Sequence, residues 1–384
     1  MTDDALDLAI VGAGIVGAAC AYAAVEDGLR VAVVDARAPA SGTTATGMGH
    51  VVVLDSSPAE LALTRYSQRL WAELGPHLPP GAGFRSLGTL WLATTEAEVA
   101  AAERKARALH GVGIPAEVLD AEEVAMTEPM LRDGLAGGLL VPEDLLVDPP
   151  SAARYLLEIV RSKGGRIISG RAVRRVEPGA LLGDDGLELR ARGIVNAAGV
   201  RAPDLDPRIP IAPRKGHLVR LAGGRGRLRH QVVELGYATG VGSDDPVSIA
   251  LNLHPRADGS VLVGASREWG VVDPAVDPAI VARLRARAQE FAPGLGAWSE
   301  VDAWTGFRPA SRDHLPWIGP VPDAPGVWIA AGHEGLGVTE ALGTGRLLVD
   351  QFAGRTPSIP PEPYRPSEAR LEAARRRPAR GVAP

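Results

Sequence analysis

The 384-residue chain has one cysteine, Cys20. A single cysteine allows no internal disulfide, no four-cysteine zinc site and no cysteine-ligated iron–sulfur cluster. No stretch reaches the ~18 consecutive apolar residues that span a bilayer. The first residues, Met1-Thr2-Asp3-Asp4, are acidic and lack the basic start of a signal peptide, so a cytoplasmic protein is expected. An excess of positive charge is also missing. Lys and Arg number 41 against 46 Asp and Glu, a net charge of −5, which argues against nucleic-acid or anionic-membrane partners. What is present is a globular composition, 46% apolar and 23% charged, on a chain longer than one average domain. Gly (46) and Pro (32) exceed average usage, which predicts tight turns and close backbone approaches.

The opening stretch carries the most information. Leu6 to Val11 is an apolar run of strand length. Gly12-Ala13-Gly14-Ile15-Val16-Gly17 follows, then an Ala-rich helical run to Glu26 closed by Gly28, then a second buried-strand pattern ending at Asp35. A GxGxxG string alone is weak. Placed between a strand and a helix, with an acid 21 residues after Gly14, it is the fingerprint of a dinucleotide-binding βαβ unit. Gly12 permits the turn, Gly14 lets the backbone approach a pyrophosphate, and Gly17 lets the helix pack on the strand. The helix N-terminus offers N–H groups to phosphates, and Asp35 suits a ribose diol. Ser41 to His50 (SGTTATGMGH) is small and hydroxyl-rich, suited to threading past a ligand.

Further along, helices are expected over 58–74, 95–111, 120–128, 151–163 and 277–292. A strand is expected over 84–93 and a strand with a turn over 166–173, and a buried strand over 193–199 ends in Asn196-Ala197-Ala198-Gly199. An alternating, turn-broken pattern over 213–264 reads as an antiparallel sheet. The strand Val327 to Ala331 leads into a second glycine turn, Gly332 to Thr339, and a helix to Phe352. The fold class is therefore α/β: a Rossmann-type nucleotide domain with an inserted, mainly antiparallel sheet. The nucleotide domain is assigned to 1–84, 149–212 and 301–354. The substrate domain is assigned to 85–148 and 213–300, and 355–384 to a peripheral tail.

Four stretches in order carry a family resemblance. They are 11–36 (VGAGIVGAACAYAAVEDGLRVAVVDA), 41–50, 195–205 (VNAAGVRAPDL), and 304–320 (WTGFRPASRDHLPWIGP) followed by 330–350 (AAGHEGLGVTEALGTGRLLVD). The chain resembles the FAD-dependent D-amino-acid oxidase superfamily, most closely its glycine oxidase, D-amino-acid dehydrogenase and D-hydroxyproline dehydrogenase branch. The resemblance spans nearly the whole chain and implies noncovalent FAD. Cys20 lies in the first helix, whereas cysteine-linked members attach flavin nearer the C-terminus.

By that resemblance, Gly12, Gly14, Ile15, Val16 and Gly17 line the pyrophosphate, and Asp35, with Ala36 and Arg37, binds the ribose. Most relatives carry Glu at the Asp35 position. Ser41, Thr43, Thr44, Thr46, Gly47 and Met48 pass the pyrophosphate and flavin. Val173 pairs with adenine, and Ala198 and Gly199 lie near the pyrophosphate. His333, Gly335, Leu336, Gly337, Val338 and Thr339 form the helix start under the flavin's pyrimidine end. Arg308, in the pattern xGxRPxxxDxxPxIG, is expected to bind a substrate carboxylate, for which a planar fork is suited. The bland alternative is a structural bridge from Arg308 to Asp313 or another acid. His50 and Met48 are further catalytic candidates. His217, Tyr237 and His254 lie on the inserted sheet expected to roof the substrate. Glycine oxidase has an arginine in the segment matching Glu334-Gly335-Leu336, and this chain has none there, so glycine itself is less supported.

The implied activity is oxidation of the C–N bond of an amino acid or cyclic imino acid by hydride transfer to FAD, giving an imine. No metal is expected. The electron acceptor is oxygen, a quinone or a redox partner, and a homo-oligomer is left open. Two alternatives stand beside this reading. One is oxidation or demethylation of an N-substituted amine such as sarcosine or a biosynthetic intermediate. The other is a flavoprotein subunit of a larger dehydrogenase complex.

Overall fold

The computed structural model describes residues 6–53, 56–224, 227–236 and 247–376. They form two compact units. The first draws on Met1–Phe84, Val147–Pro213 and Arg308–Ala379, the second on Arg85–Leu146 and Arg214–Phe307. The strand Ser299–Ser311 carries Arg308, the first residue of the last segment of the first unit.

The first unit is built on β1 (Leu6–Val11), α1 (Ile15–Glu26) and β2 (Val31–Asp35). β1 pairs in parallel with β2 on one side and with the strand Glu188–Asn196 on the other. β2 pairs in parallel with Arg166–Ser169, and Glu188–Asn196 with Val327–Ala331. The outcome is five parallel strands, of which Leu6–Val11, Val31–Asp35 and Val327–Ala331 are near-continuous Val, Ile, Leu and Ala, as strands buried on both faces are, while Arg166–Ser169 at the edge is partly exposed. The first half of Glu188–Asn196 pairs antiparallel with Ala180–Gly183, and that strand pairs with Val173–Glu177. Gly170, with φ +76, breaks the run expected over 166–173 into two strands.

α1 and the helix Gly337–Phe352 pack so closely that a Cβ on Gly345 would overlap the backbone of Ala19 and Cys20. Their far ends are tied by charge. Arg346 reaches the Asp27 carboxylate with two nitrogens, at 2.9 and 2.8 Å, and Asp350 at 2.6 Å. Arg355 joins both acids. Hydrogen bonds from Arg346 hold the Asp27 carboxyl below its ordinary value. The two helices therefore lie side by side in the same direction. Each follows a strand parallel to Glu188–Asn196, so both start at the carboxyl ends of the strands, where open α/β sheets bind ligands. The helix Pro58–Leu74, N-capped by Ser57, covers Gly337–Phe352 from another side, with Ser67 accepting the Gly343 N–H at 3.0 Å.

In the second unit, Val261–Trp269 pairs antiparallel with Ile211–Ala222 and with Val247–Pro255, and the latter pairs antiparallel with Gln231–Glu234. Gln231–Glu234 pairs in parallel with Thr89–Ala93, so the inserted sheet is mixed. The long excursion between these two strands accounts for the parallel pair, because a parallel partner needs a crossover rather than a hairpin. Gly88, with φ +68, splits the strand expected over 84–93 into Arg85–Ser86 and Thr89–Ala93. The helix Pro278–Phe291 buries Ile280, Leu284 and Phe291 in the aliphatic core of this unit. No helix among the described residues is long and apolar enough to cross a membrane.

The tail differs from the peripheral segment expected over 355–384. Tyr364 is 1% exposed and its hydroxyl donates to Ala59 O at 2.5 Å. The helix Glu368–Arg376 buries Leu371 and Ala374 against the first unit's core. A charge-rich helix masks two apolar positions that suffice to dock it.

Candidate active site

The cradle at the carboxyl end of β1 is set by close backbone packing. Gly12 has φ +108, and a Cβ there would overlap Ala197 O; a Cβ on Gly17 would overlap Gly12 O. Gly14 is different. Its added Cβ would meet only Thr44 Oγ1, at 3.1 Å, so the space above it is otherwise open. Asp35 ends β2 and bridges two turns: Oδ2 accepts the Ala13 N–H and Oδ1 the Arg37 N–H, both at 2.8 Å. Each oxygen retains acceptor capacity for a diol. These features fit a dinucleotide: an open approach over Gly14, helix N–H groups beside it, and an acid at the next strand end.

The amide of Ile15, expected on the pyrophosphate, is already bound. Thr44 Oγ1 accepts it at 3.0 Å from the buried 3₁₀ turn Thr43–Thr46. Thr44 is thus a helix cap, and the α1 donors without an intrahelical acceptor are those of its neighbours, including Val16 and Gly17. Thr46 Oγ1 donates to Thr43 O at 3.1 Å, which also keeps that turn closed. Ala36, Arg37 and Ser41 are exposed, and Gly47 is half-buried beside Pro149. Ala198 receives the Asn196 side chain on its N–H at 3.2 Å, while Gly199, with φ +58, faces open space. Val173 is half-buried at a strand start paired to Gly183.

Met48 is buried at 7% exposure, next to Gly49, whose added Cβ would overlap Val147 O. His50 is half-buried in a two-residue strand. That strand is joined to the second helix start by Thr339, whose hydroxyl donates to His50 O at 3.0 Å and accepts Val52 N–H at 3.3 Å. The Thr339 side chain is therefore spent inside the protein. His333 is similar: its Nε2 lies 2.9 Å from Thr344 Oγ1, and burial pushes its pKa down to about 3, so the ring is neutral. The Leu336 N–H is bound to His333 O. What this turn offers a ligand is backbone: Gly337, Val338 and Thr339 open the helix, and their amides have no intrahelical acceptor. A negative charge placed there gains about 0.3–1 kcal/mol from the helix terminus.

Arg308 belongs to the same neighbourhood. Its side chain passes Gly335, where an added Cβ would stand 3.8 Å from Cδ and 3.9 Å from Nε. The flanking backbone is stitched to the glycine turn: the Glu334 N–H donates to Pro309 O at 2.9 Å, and Ala310 bridges His333. Asp313 gives both carboxylate oxygens to Arg370, at 2.6 and 3.1 Å. Asp313, one acid that a structural bridge from Arg308 could use, is thus bound by another cation.

The inserted-sheet candidates read as scaffold. His217 is fully buried. Its Nε2 accepts the Asp277 N–H at 3.0 Å, leaving the proton on Nδ1, 3.1 Å from Ser266 Oγ. Burial lowers its pKa. His254 is fully buried in its strand, and Tyr237 lies outside the described residues. Cys20 is buried in α1, and burial pushes its thiol pKa up to about 12, unsuited to attachment chemistry.

Sequence reasoning missed Glu340. It is 1% exposed, and its Oε2 has no hydrogen-bond partner among the described residues. An acid in the first turn of a helix reads as an exposed dipole partner, which concealed it. Burial, then Glu60 and Glu334, push its carboxyl pKa well above the ordinary 4.5. The folded protein keeps it protonated where the unfolded chain ionises it, so its contribution is fully present below about that ordinary value and is lost as pH rises toward the folded pKa. Glu340→Gln is expected to raise the Tm by about 2–4 °C at mildly alkaline pH and to leave it unchanged in acid. Melting curves that run parallel at every pH would contradict this.

The comparisons agree with this geometry. The family model for DAO, FAD dependent oxidoreductase, matches residues 7–351. A glycine oxidase of Pseudomonas putida is 30% identical over 378 residues, covering 94% of this chain and 98% of that protein. A D-amino acid dehydrogenase of Cereibacter sphaeroides is 31% identical over 287 residues, covering 72% of this chain and 63% of its own length. The crystal structure of glycine oxidase from Geobacillus kaustophilus superposes with a TM-score of 0.85 at 27% identity, over 94% of this chain and 98% of that one. With the family matched over residues 7–351 and the dinucleotide cradle in place, the chain belongs to the DAO family of FAD-dependent oxidoreductases.

Proposed function

We propose that the protein oxidises the C–N bond of an amino acid or cyclic imino acid whose carboxylate is held by Arg308. What supports this reading is the pairing of a planar cation with a cofactor-edge helix start: the Arg308 side chain lies against Gly335, and Asp313 is bound by Arg370 instead. The names of the relatives, glycine oxidase and D-amino acid dehydrogenase, support the same substrate class.

Bound FAD supplies a two-electron acceptor for a hydride. The chain's residues do the placing. Arg308 engages the carboxylate in a two-pronged contact, which fixes one end of the substrate and limits rotation of the α-carbon. The amides of Gly337, Val338 and Thr339 stabilise negative charge developing at the cofactor edge. With His333 neutral and His217 committed to scaffold, neither is offered as a base, and the amine enters unprotonated. Loss of the hydride from the neutral amine leaves an iminium cation, which releases an N–H proton to solvent to give the imine; water converts this to a keto acid and ammonia, or it opens or persists when cyclic. With one cysteine and so no cysteine-ligated cluster, the chain passes its electrons to oxygen, a quinone or a redox partner.

The test is anaerobic reduction of the bound flavin by an amino acid and by the amine lacking its carboxylate. Reduction by the first alone supports the reading; equal reduction by both removes Arg308 from it.

A further inference from the structure

We propose that Arg370, in the C-terminal helix, is a positioning residue for Arg308, and that the tail is a strap holding the carboxylate site in shape. The inference rests on the reading of Arg308 as the carboxylate anchor.

The observation is a saturated guanidinium. Arg370 Nε and Nη2 bind Asp313 at 2.6 and 3.1 Å, and Nη2 also donates to Leu315 O at 2.8 Å. Nη1 donates to Pro316 O at 3.0 Å and to Tyr364 O at 2.7 Å. An arginine has five N–H donors, and five contacts use them. The plane lies over the Trp317 ring at 3.7 Å, with the side chain 12% exposed. Lysine, a point charge on a flexible stem, cannot reproduce this set.

The turn that Arg370 grips is also held from within, by the Ser311 hydroxyl donating to Leu315 O at 2.7 Å and the Leu315 N–H to Asp313 Oδ1 at 3.4 Å, and Arg370 adds four of its five contacts to it. It joins Ser299–Ser311, which carries Arg308, to the strand Trp317–Pro320, which pairs with Val327–Ala331 and so leads to the glycine turn. Within the gripped turn, His314 has φ +64, and its Nδ1 lies 3.2 Å from Glu334 Oε2. Glu334 has φ +47, and its N–H holds Pro309 O, the carbonyl next to Arg308. Non-glycine residues at positive φ persist only where their surroundings over-determine them, and such residues cluster at functional sites. Here two of them touch each other between Arg370 and Arg308. Removing Arg370 takes a donor from three acceptors of the gripped turn, Asp313, Leu315 and Pro316, and loosens the loop that sets the Arg308 backbone.

The test uses holoenzyme carrying Arg370→Ala or Arg370→Lys, with FAD content checked by flavin absorbance. Benzoate serves as a carboxylate probe, its binding read from the change in the flavin spectrum. The expected result for Arg370→Ala is a rise of about 10- to 100-fold in benzoate Kd and in KM, with kcat changed less. Arg370→Lys should show a rise of the same sign, which keeps the test decisive if the alanine variant does not fold. Added guanidinium ion should restore benzoate affinity in Arg370→Ala. A fall in Tm with benzoate Kd and KM unchanged in both variants would overturn the proposal and leave the tail a structural prop. Arg308→Ala separates the two readings. If it keeps benzoate affinity, the reading of Arg308 itself has failed. If it loses affinity while the Arg370 variants do not, only the positioning role has failed.

Discussion

Arg308→Ala is expected to raise KM for the amino-acid substrate roughly 100- to 1,000-fold, with FAD content unchanged. Truncating one partner of a desolvated, hydrogen-bonded charge pair costs about 2–5 kcal/mol, and each 1.4 kcal/mol is about tenfold. The alternative, a structural bridge, predicts a different pattern: a lower Tm with KM nearly intact. Asp313 is bound on both oxygens by Arg370, and the Arg308 side chain lies against Gly335 instead. Arg308→Lys keeps the charge but not the fork, so an intermediate loss is expected. Steady-state kinetics with the variant's melting temperature measured alongside decide between the patterns.

The second large effect concerns the cofactor. Gly17→Ala is expected to weaken FAD binding roughly 10- to 100-fold, so that the protein is purified largely colourless. The added methyl would overlap Gly12 O, a backbone atom that cannot swing aside as a side chain does. Overpacking of this kind costs about 1–3 kcal/mol. Relief requires α1 to move off β1, which displaces the amides at the start of α1, beside the open approach over Gly14. Gly81→Ala is the matched control, because an added Cβ there meets nothing within 4 Å. Equilibrium FAD binding to the two variants, followed by flavin fluorescence, should separate them. Equal affinities would mean that close helix–strand packing does not set the phosphate cradle.

Much of this frame is legible in the sequence because it rests on local rules. The glycines of 12–17, the acid ending β2 and the glycine turn before Gly337–Phe352 each announce a backbone requirement. The helices over 58–74 and 95–111 carry their caps, Ser57 and Thr95, in plain view. The parts that were not legible depend on contacts distant in the chain. The Thr44 hydroxyl takes the Ile15 amide 29 residues away. Arg370 reaches back 57 residues to Asp313 from a tail whose composition suggests a frayed end. Glu340 is hidden because an acid in a first helical turn is ordinarily solvated, whereas here the helix Pro58–Leu74 covers it with another acid, Glu60. Nor does the sequence show that the Thr339 and His333 side chains turn to His50 and Thr344.

We propose that the flavin takes electrons from the carbon beside an amino nitrogen in a substrate gripped by its carboxylate. Anaerobic titration of the yellow holoenzyme with D- and L-amino acids, proline derivatives and N-methyl glycines, each beside the amine that lacks its carboxylate, tests this directly. At least one amino or imino acid should bleach the flavin while its decarboxylated counterpart does not. Flavin that stays oxidised with every member of the panel, or that is bleached equally by the amines, would contradict it.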